Sequence, residues 1–382
     1  MFLIISVGIF LLLAYLYGTR NYNYWEKKGI KYEKPIPFLG SAARNIFFRI
    51  SSATYLAEIY KKYPNEKMVG SYFASERALV LRDPELVKRV MITDWQYFHA
   101  RGLNPNKHYI EPLMKNLFHA DGDAWKLLRQ RLTPAFTSGK LKAMFPLIVE
   151  RAERLKTIAK DAAETGKEID IRELIARYAT DFIGACGFGI DSDSLNEEAS
   201  DFRKLGKRIF DVHFKDAVKF VIIMLVDIII SNFKSFFPYL MQHVNFVAKE
   251  IEEQTVSIVK QATQQRNHKP SGRNDFIDLL LELKEKGKIV GESIEKRKPD
   301  GTPEITELFM DDSLMAAQVF LFFAAGYETS SSSSSFTLHQ LAFHPEHQLK
   351  CQEEIDEVLR QHGGKLSYDA VNELKYVQMC FR

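Results

Sequence analysis

One stretch constrains the fold more than any other, and it runs from Thr306 to Phe343 without a proline. Thr306 and the acids after it are typical of a helix start. The His344-Pro345 pair is typical of a helix end, because the residue before proline avoids the α region. Met315 to Ala325 is apolar except for Gln318, which predicts a helix buried on all sides. At about 1.5 Å per residue the helix would run roughly 55 Å, enough to cross a domain.

The middle of this helix carries the sequence AGYET, from Ala325 to Thr329. Gly326 costs a helix about 1 kcal/mol relative to alanine, and Glu328 in an apolar setting needs a partner or water. Ala325 and Gly326 would leave room for a flat ligand, while the acid and the Thr329 hydroxyl could carry protons to a buried reaction centre. The alternative is a small-residue crossing point between helices, with Glu328 paired to an arginine. Both interpretations remain open on the residues alone.

Composition excludes several classes of protein. The chain has 382 residues, 46% hydrophobic and 26% charged, so it can bury a large core and is not disordered. Its net charge of +3 is too small to indicate nucleic acid binding. The three cysteines show no metal-binding spacing, which argues against a disulfide framework and suits a reducing compartment.

The N-terminus predicts a membrane anchor. Residues 2–17 carry no charge and are followed by basic residues, which favours an anchor in residues 1–19 with the body on the cytoplasmic side. A cleaved signal peptide is the rival interpretation. Residues 20–40 form a basic, proline-rich linker. A second oily run, Val218 to Ile230, is too short to span; it could dip into a bilayer or form a core helix.

Three further segments carry local predictions. Met68 to Leu81 alternates around a polar turn and predicts a β-hairpin. Asp83-Pro84 predicts the start of a helix. Residues 286–303, rich in Lys, Glu, Gly and Pro, predict an exposed connector.

Trp125 and Arg129 stand four residues apart, so they share one face of a helix. The indole N–H and the guanidinium can then converge on one acceptor, and a carboxylate fits that pair of donors. The bland alternative is a surface cation–π pair.

Taken together, these motifs resemble the cytochrome P450 family of haem-thiolate monooxygenases. The family's [AG]-G-x-[DE]-T motif matches Ala325 to Thr329, and its W-x-x-x-R motif matches Trp125 to Arg129, followed by the family-like TPAFTSG from Thr133 to Gly139. The resemblance implies a mainly α fold with a small N-terminal β-sheet, organised on one long buried helix. Residues 41–382 would then be a cytochrome P450 domain that lacks its C-terminal quarter.

The same resemblance implies roles for particular residues. Glu328 and Thr329 would relay protons. A haem b group would lie against Ala325 and Gly326, with its propionates held by Trp125, Arg129 and, more weakly, Arg101. The substrate pocket would be lined by Leu321, Phe322 and Ala325.

Partners and location are also implied by the resemblance. Electrons would come from NADPH through a flavoprotein reductase, and the substrate would be a lipophilic small molecule. The protein would sit in the endoplasmic reticulum membrane, in contact with lipid, with no nucleic acid partner.

The family's iron-ligating loop, F-x-x-G-x-x-x-C, has no counterpart in this sequence, since no cysteine has a glycine four residues before it. Cys186 is therefore expected to be an inert apolar residue, and no metal ligand is predicted. The only Glu-x-x-Arg, Glu357 to Arg360, precedes the place where the family has that motif and is interpreted as a chance match. The alternative function is thus a catalytically inactive fragment, or a membrane-anchored binder of hydrophobic ligands or partners, without the haem thiolate.

Overall fold

A computed structural model describes residues 2–103, 110–191, 193–195, 201–210, 247–273 and 275–381. These residues belong to two compact units. Residues 2–100 lie in the first unit, and the described residues from 101 onward form the second. The predicted oily segment from Val218 to Ile230 lies outside the described residues.

The first unit contains the predicted hairpin, in which β1 (Met68–Phe73) pairs antiparallel with β2 (Glu76–Leu81). The predicted helix start is also confirmed, because the Asp83 carboxylate accepts the N–H groups of Glu85 and Leu86 at 2.9 and 3.0 Å. The helices of this unit are α1 (Phe2–Thr19), α2 (Tyr24–Lys27), α3 (Ala43–Ile46), α4 (Ser52–Lys62) and α5 (Pro84–Lys88).

Helix α1 occupies the segment that was predicted to be an anchor. The side chains of residues 4–13 are all exposed, and almost all of them are apolar. Across the part of the chain that the structure describes, however, no helix combines the length and the apolar character needed to cross a membrane.

The second unit is mainly helical, which confirms the predicted fold class. Its helices are α6 (Gly122–Leu132), α7 (Ser138–Thr165), α8 (Ile171–Ile183), α9 (Asp201–Phe210), α10 (Lys249–Gln265), α11 (Phe276–Glu285), α12 (Asp312–Phe343), α13 (Pro345–Gln361), α14 (Tyr368–Glu373) and α15 (Lys375–Cys380). Single turns lie at Pro112–Lys115 and Thr133–Phe136, and a π-helical turn at Gly184–Phe188 follows α8.

The connector predicted at residues 286–303 is wrong. These residues belong to a second hairpin, in which β3 (Lys288–Arg297) pairs antiparallel with β4 (Pro303–Phe309). The charged and glycine-rich composition of β3 masked its alternation in the sequence. In the structure one side of β3 packs on α6 and only the other faces solvent. The pairing is interrupted by a bulge between Glu292 and Arg297.

The long helix is α12, and its N-cap lies five residues later than predicted. Asp311, not Thr306, is its N-cap, and the Asp311 carboxylate accepts the Leu314 N–H at 2.7 Å. The run of serines, Ser330 to Ser335, is helical as expected. Burial on all sides holds only for the first turns, because Ala325 and Thr329 are exposed.

The core of the second unit surrounds the N-terminal half of α12. Met315, Val319 and Phe323 are buried there against side chains from α6, α8, α10 and α11. Phe323 makes an edge-to-face contact with Phe202, with ring centroids 4.9 Å apart. This core holds α6 and α12 in place, and the candidate site lies between them.

The C-terminal helices are joined by side chains of α13. The Glu354 carboxylate accepts the N–H groups of Tyr376 and Val377 at 2.8 and 3.0 Å, at the start of α15. Close by, the Sγ atoms of Cys351 and Cys380 lie 3.6 Å apart as free thiols. Desolvation, together with the Cys380 thiol, raises the pKa of Cys351 to about 11. Glu357 and Arg360 form an ion pair with each other on this helix.

Candidate functional site

A cavity of about 660 Å³ lies between α6 and α12, with walls also from the segment that precedes α6. It brings together six of the residues predicted for the site. These are Arg101, Trp125, Arg129, Leu321, Phe322 and Ala325. Trp125 and Arg129 reach it from one face of α6, as their spacing predicts.

The charge of this cavity has one sign. Arg101 and Arg129 both line it, together with the Trp125 indole, and none of the described lining residues is acidic. The remaining described walls are apolar apart from Thr133. Such a cavity favours a largely apolar ligand that also carries negative charge.

Contacts of both its backbone and its side chain hold Arg101 in place. Its N–H donates to Asp121 Oδ1 at 2.8 Å, and its guanidinium donates to the Phe118 carbonyl at 3.3 Å while lying 5.0 Å from the Phe118 ring centroid. Desolvation lowers the pKa of the nearby His119, and the positive charge of Arg101 lowers it further. The His119 imidazole is therefore neutral at neutral pH, and the positive charge at the cavity comes from Arg101 and Arg129.

The α12 wall consists of Leu321, Phe322 and Ala325. Phe322 stacks on Phe136, with ring centroids 5.4 Å apart, and both rings also line a second cavity of about 710 Å³. That neighbouring cavity is mostly apolar and borders Cys186. The stacked pair and Ala325 therefore border both cavities.

Gly326 has a packing role that the motif did not reveal. A Cβ atom there would lie 2.9 Å from Cδ1 and 3.2 Å from Cγ1 of Ile183 on α8, so glycine permits the close crossing of α8 and α12. Gly326 lines the 710 Å³ cavity, not the one that contains the arginines. This close approach is what the crossing-point interpretation expects at Gly326.

Glu328 also matches the crossing-point interpretation. Its Oε1 lies 3.5 Å from an Arg172 guanidinium nitrogen and accepts the Ser332 hydroxyl at 3.0 Å. The side chain is 31% exposed, so it keeps access to solvent. Glu328 lines neither of the two cavities described here.

Behind Glu328 lies an ionic contact that sequence reasoning missed. The buried Arg203 guanidinium donates to the Tyr327 hydroxyl and to Glu173 Oε2, the latter at 2.6 Å. Desolvation alone would raise the pKa of Glu173, but its bonds with Arg203 and Arg177 hold that pKa below its ordinary value. Nothing in the spacing of these residues along the chain indicates their contact.

Thr329 makes the bond that its position predicts. Its hydroxyl donates to the Ala325 carbonyl one turn back, at 2.6 Å. The side chain is exposed on the same helix face as Ala325 and is not part of the described cavity lining. The acid and the alcohol are thus neighbours in sequence with different surroundings.

Gln318 is a further residue of the site whose role was missed. It is fully buried, its Oε1 accepts the Leu117 N–H at 2.9 Å, and its amide donates to the carbonyls of Leu314 and Lys115 at 3.2 and 3.4 Å. It thereby ties α12 to the segment that supplies Leu117 and Phe118 to the cavity. The sequence feature that could have identified Gln318 is that it is the single polar residue in the apolar run from Met315 to Ala325.

Cys186 is buried, as expected for an inert apolar residue. Desolvation raises the pKa of its thiol to about 11, so the thiolate is scarce at neutral pH. Among the described residues, no cysteine lines the cavity that holds the two arginines.

Comparison with known proteins gives consistent matches. A family model described as Cytochrome P450 matches residues 31–382. Cytochrome P450 6B2 of Helicoverpa armigera is 35% identical over 377 residues, covering 98% of this chain and 70% of the relative. Cytochrome P450 6B5 of Papilio glaucus is 34% identical over 380 residues, covering 99% and 74%. Cytochrome P450 6a2 of Drosophila melanogaster is 35% identical over 385 residues, covering 97% and 70%.

The mainly helical fold on one long helix, with these relatives, defines the class as an oxidoreductase of the haem monooxygenase type. The chain belongs to the cytochrome P450 family, whose model it matches from residue 31 to residue 382. It spans about 70% of the length of the relatives named above.

Proposed function

We propose that the 660 Å³ cavity binds the haem b of a monooxygenase that oxidises lipophilic small molecules. The observation that carries this proposal is the pairing of two guanidiniums and an indole with apolar walls, without an acidic residue among the described lining. A porphyrin with two carboxylates at one edge has the matching distribution of charge and apolar surface.

The donor set fits that group on its carboxylate edge. Arg129, Trp125 and Arg101 would bind the propionates, while Ala325, Leu321 and Phe322 would contact the ring or the substrate. When bound, the haem supplies a redox-active iron at which dioxygen can be activated. The apolar side chains of α12 would exclude water and orient a lipophilic substrate.

The test is a titration of the full chain with iron protoporphyrin IX and with its dimethyl ester, followed by absorbance. Esterification removes the negative charges, and each lost charge-assisted hydrogen bond is worth about 1.5 to 3 kcal/mol. We expect the free acid to bind at least about tenfold more tightly, since 1.4 kcal/mol corresponds to a factor of ten.

Arg129→Gln should remove most of this preference and leave the ester affinity unchanged. Arg360→Gln is a matched control, because Arg360 is an exposed guanidinium on α13 and lies outside the described lining of the cavity. Equal affinity for the acid and the ester in the unmodified chain would contradict the proposal.

We assign proton delivery to Glu328 and Thr329. The partly exposed carboxylate can exchange protons with solvent, and the Thr329 hydroxyl is bonded to the carbonyl of Ala325, which lines the cavity. In a reconstituted enzyme, Thr329→Ala should consume oxygen without forming the matching amount of product. Ser333→Ala, one turn along the same helix face, is the control; unchanged coupling in Thr329→Ala would remove its role.

Membrane attachment and electron supply complete the proposal. The exposed apolar helix α1, followed by basic residues, supports association with the endoplasmic reticulum membrane, with the body on the cytoplasmic face. A flavoprotein reductase would bring electrons from NADPH. Alkaline extraction of membranes should leave the chain in the pellet, whereas deletion of residues 2–19 should release it. Full recovery of the intact chain in the supernatant would contradict attachment through α1.

A second candidate function applies to the 382-residue chain by itself: binding of the tetrapyrrole or another apolar ligand without monooxygenation. It is favoured by the absence of a cysteine from the cavity lining within the described part of the chain. Carbon monoxide added to the reduced, haem-loaded chain distinguishes the two functions. A thiolate-type Soret shift would exclude this candidate, and a shift typical of nitrogen or weak ligation would support it.

A further inference from the structure

The helix that carries Trp125 and Arg129 has a second face. Positions 123, 127 and 131 of α6 lie about two residues, or roughly 200°, away from positions 125 and 129 around the helix axis. That opposite face packs on the β3–β4 hairpin. Helix α6 thus lies between the cavity and the β3–β4 hairpin, and no hairpin residue is among the described cavity lining.

The β3–β4 hairpin contacts the first turn of α6 through hydrogen bonds to Asp123. The Ser293 hydroxyl lies 2.9 and 2.7 Å from the two carboxylate oxygens of Asp123, and the Ile294 N–H donates to Oδ1 at 2.7 Å. Desolvation alone would raise the pKa of Asp123, but these bonds hold it below its ordinary value, so the carboxylate is charged at neutral pH.

Ser293 is specialised for this contact by the bulge in β3. Its side-chain oxygen accepts the N–H groups of Glu295 and Lys296 at 3.1 and 2.8 Å, while its hydroxyl hydrogen points to Asp123. The residue is 3% exposed. A bulge turns a side chain away from the regular direction of a strand, and here it directs a buried hydroxyl at α6.

The last turn of α6 is held at the same time. The Arg131 guanidinium donates to the Val290 carbonyl at 3.2 Å. Gly291 lies so close to α6 that a Cβ atom there would be 2.7 Å from Leu127 Cδ2. Contacts at both ends fix the rotation of α6 about its axis, and that rotation decides where the Trp125 and Arg129 side chains point.

We infer that the β3–β4 hairpin is a positioning brace for the carboxylate-binding donors, with Ser293 and Asp123 as its main contact. The inference rests on the proposed function of the cavity. Ser293 and Asp123 lie outside the described lining of the cavity, so they act on it only through α6. The hairpin therefore tunes affinity for the acidic edge of the ligand and not for its apolar surface.

The experiment compares Ser293→Ala with Thr302→Ala in the full chain. Thr302, in the hairpin turn, also bonds an aspartate through its hydroxyl, Asp300 Oδ1 at 2.6 Å, but it is exposed and its described bonds do not involve α6. Each variant is titrated with iron protoporphyrin IX and with the dimethyl ester. Ser293→Ala should weaken binding of the free acid by about tenfold, the lower end of what the loss of an orienting partner costs. The ester affinity and the Thr302→Ala variant should stay unchanged.

A second variant guards against simple misfolding. Gly291→Ala pushes the hairpin away from Leu127 while leaving every Asp123 bond chemically possible, and it should lower the acid-to-ester ratio in the same direction. In the free protein, the indole N–H resonance of Trp125 should shift in both variants more than those of Trp25 and Trp95. A structural defect without a positioning role would instead weaken both ligands by the same factor.

The outcomes separate the two proposals. If Arg129→Gln lowers the acid-to-ester ratio and Ser293→Ala does not, the brace is refuted and the proposed function stands. If the unmodified chain shows no preference for the acid, the proposed function fails first. If Ser293→Ala and Gly291→Ala both lower the acid-to-ester ratio and Thr302→Ala does not, the brace is supported.

Discussion

The buried amide of Gln318 offers a sharp test of how the cavity wall is held. Gln318→Met keeps nearly the same volume, so little cavity or overpacking cost is expected. What disappears is the acceptor for the Leu117 N–H, now bonded at 2.9 Å, and the donor to the Lys115 carbonyl. A buried donor left without a partner costs about 1 to 3 kcal/mol, so we expect a loss of about 2 kcal/mol.

The loss should be local, and amide hydrogen exchange can measure it. A reduction of about 2 kcal/mol in the free energy of opening speeds exchange at the Leu117 amide about 30-fold, since each 1.4 kcal/mol is a factor of ten. Urea unfolding should show a lower midpoint with the same slope. Gln340→Met, at an exposed position on the same helix, should change neither quantity.

Exchange of the Leu117 amide within about threefold of its rate in the unmodified chain, a difference of less than 1 kcal/mol, would contradict this role of Gln318. That result would mean that the segment from Lys115 to Leu117 is held by its other contacts. Among these is buried Asn116, whose side-chain carbonyl accepts the N–H groups of Phe118 and His119 at 3.0 and 3.1 Å.

Three further predictions follow from particular contacts. Gly326→Val should destabilise the fold by about 1 to 3 kcal/mol in urea, because the new side chain meets the isoleucine of α8; an unchanged midpoint would contradict this crossing. Arg203→Met should raise the pKa of Glu173, measured by NMR. The variant should be less stable than the unmodified chain at neutral pH. Its free energy of unfolding should also fall less steeply as the pH drops through the lowered pKa that Glu173 has in the unmodified chain. With hydrogen peroxide, Cys351 and Cys380 should form a disulfide, slowly at pH 7 and faster toward pH 11, lowering the thiol titre from three to one; a titre that stays at three would refute it.

Sequence reasoning identified the long helix, the first hairpin and the face shared by Trp125 and Arg129, because each of these depends on local periodicity. It misplaced the start of α12. Thr306 followed by acids has the composition of a helix cap, but its neighbours pair with β3 across the hairpin. The pairing depends on residues from 288 onward, which no single window reveals.

The AGYET motif shows where local reasoning ends. The residues alone do not decide between a ligand notch and a helix crossing, and in the structure neighbouring residues of the motif have different surroundings. Gly326 serves the crossing with α8, whereas Ala325 borders the cavity. The deciding fact is the position of Ile183, which is remote in sequence and close in space.

Helical geometry explains why the acid and the alcohol differ in surroundings. Adjacent residues on a helix are about 100° apart, so Thr329 shares a face with Ala325, and Glu328 shares one with Ser332. A proton passed between them must cross from the Arg172 side of α12 to the cavity side. The surroundings that each side chain meets depend on the rotation of α12, and the close crossing with α8 at Gly326 constrains that rotation.

The same principle applies to both walls of the cavity. α6 presents Arg129 to the cavity because its opposite face rests on the hairpin, and α12 presents Ala325 because its neighbouring face rests on α8. In each case the residue that fixes the rotation, Ser293 or Gly326, has no chemistry of its own in the proposed reaction. Substitutions at such positions should therefore alter binding and coupling through geometry, while every charged or hydroxyl group of the site remains in place.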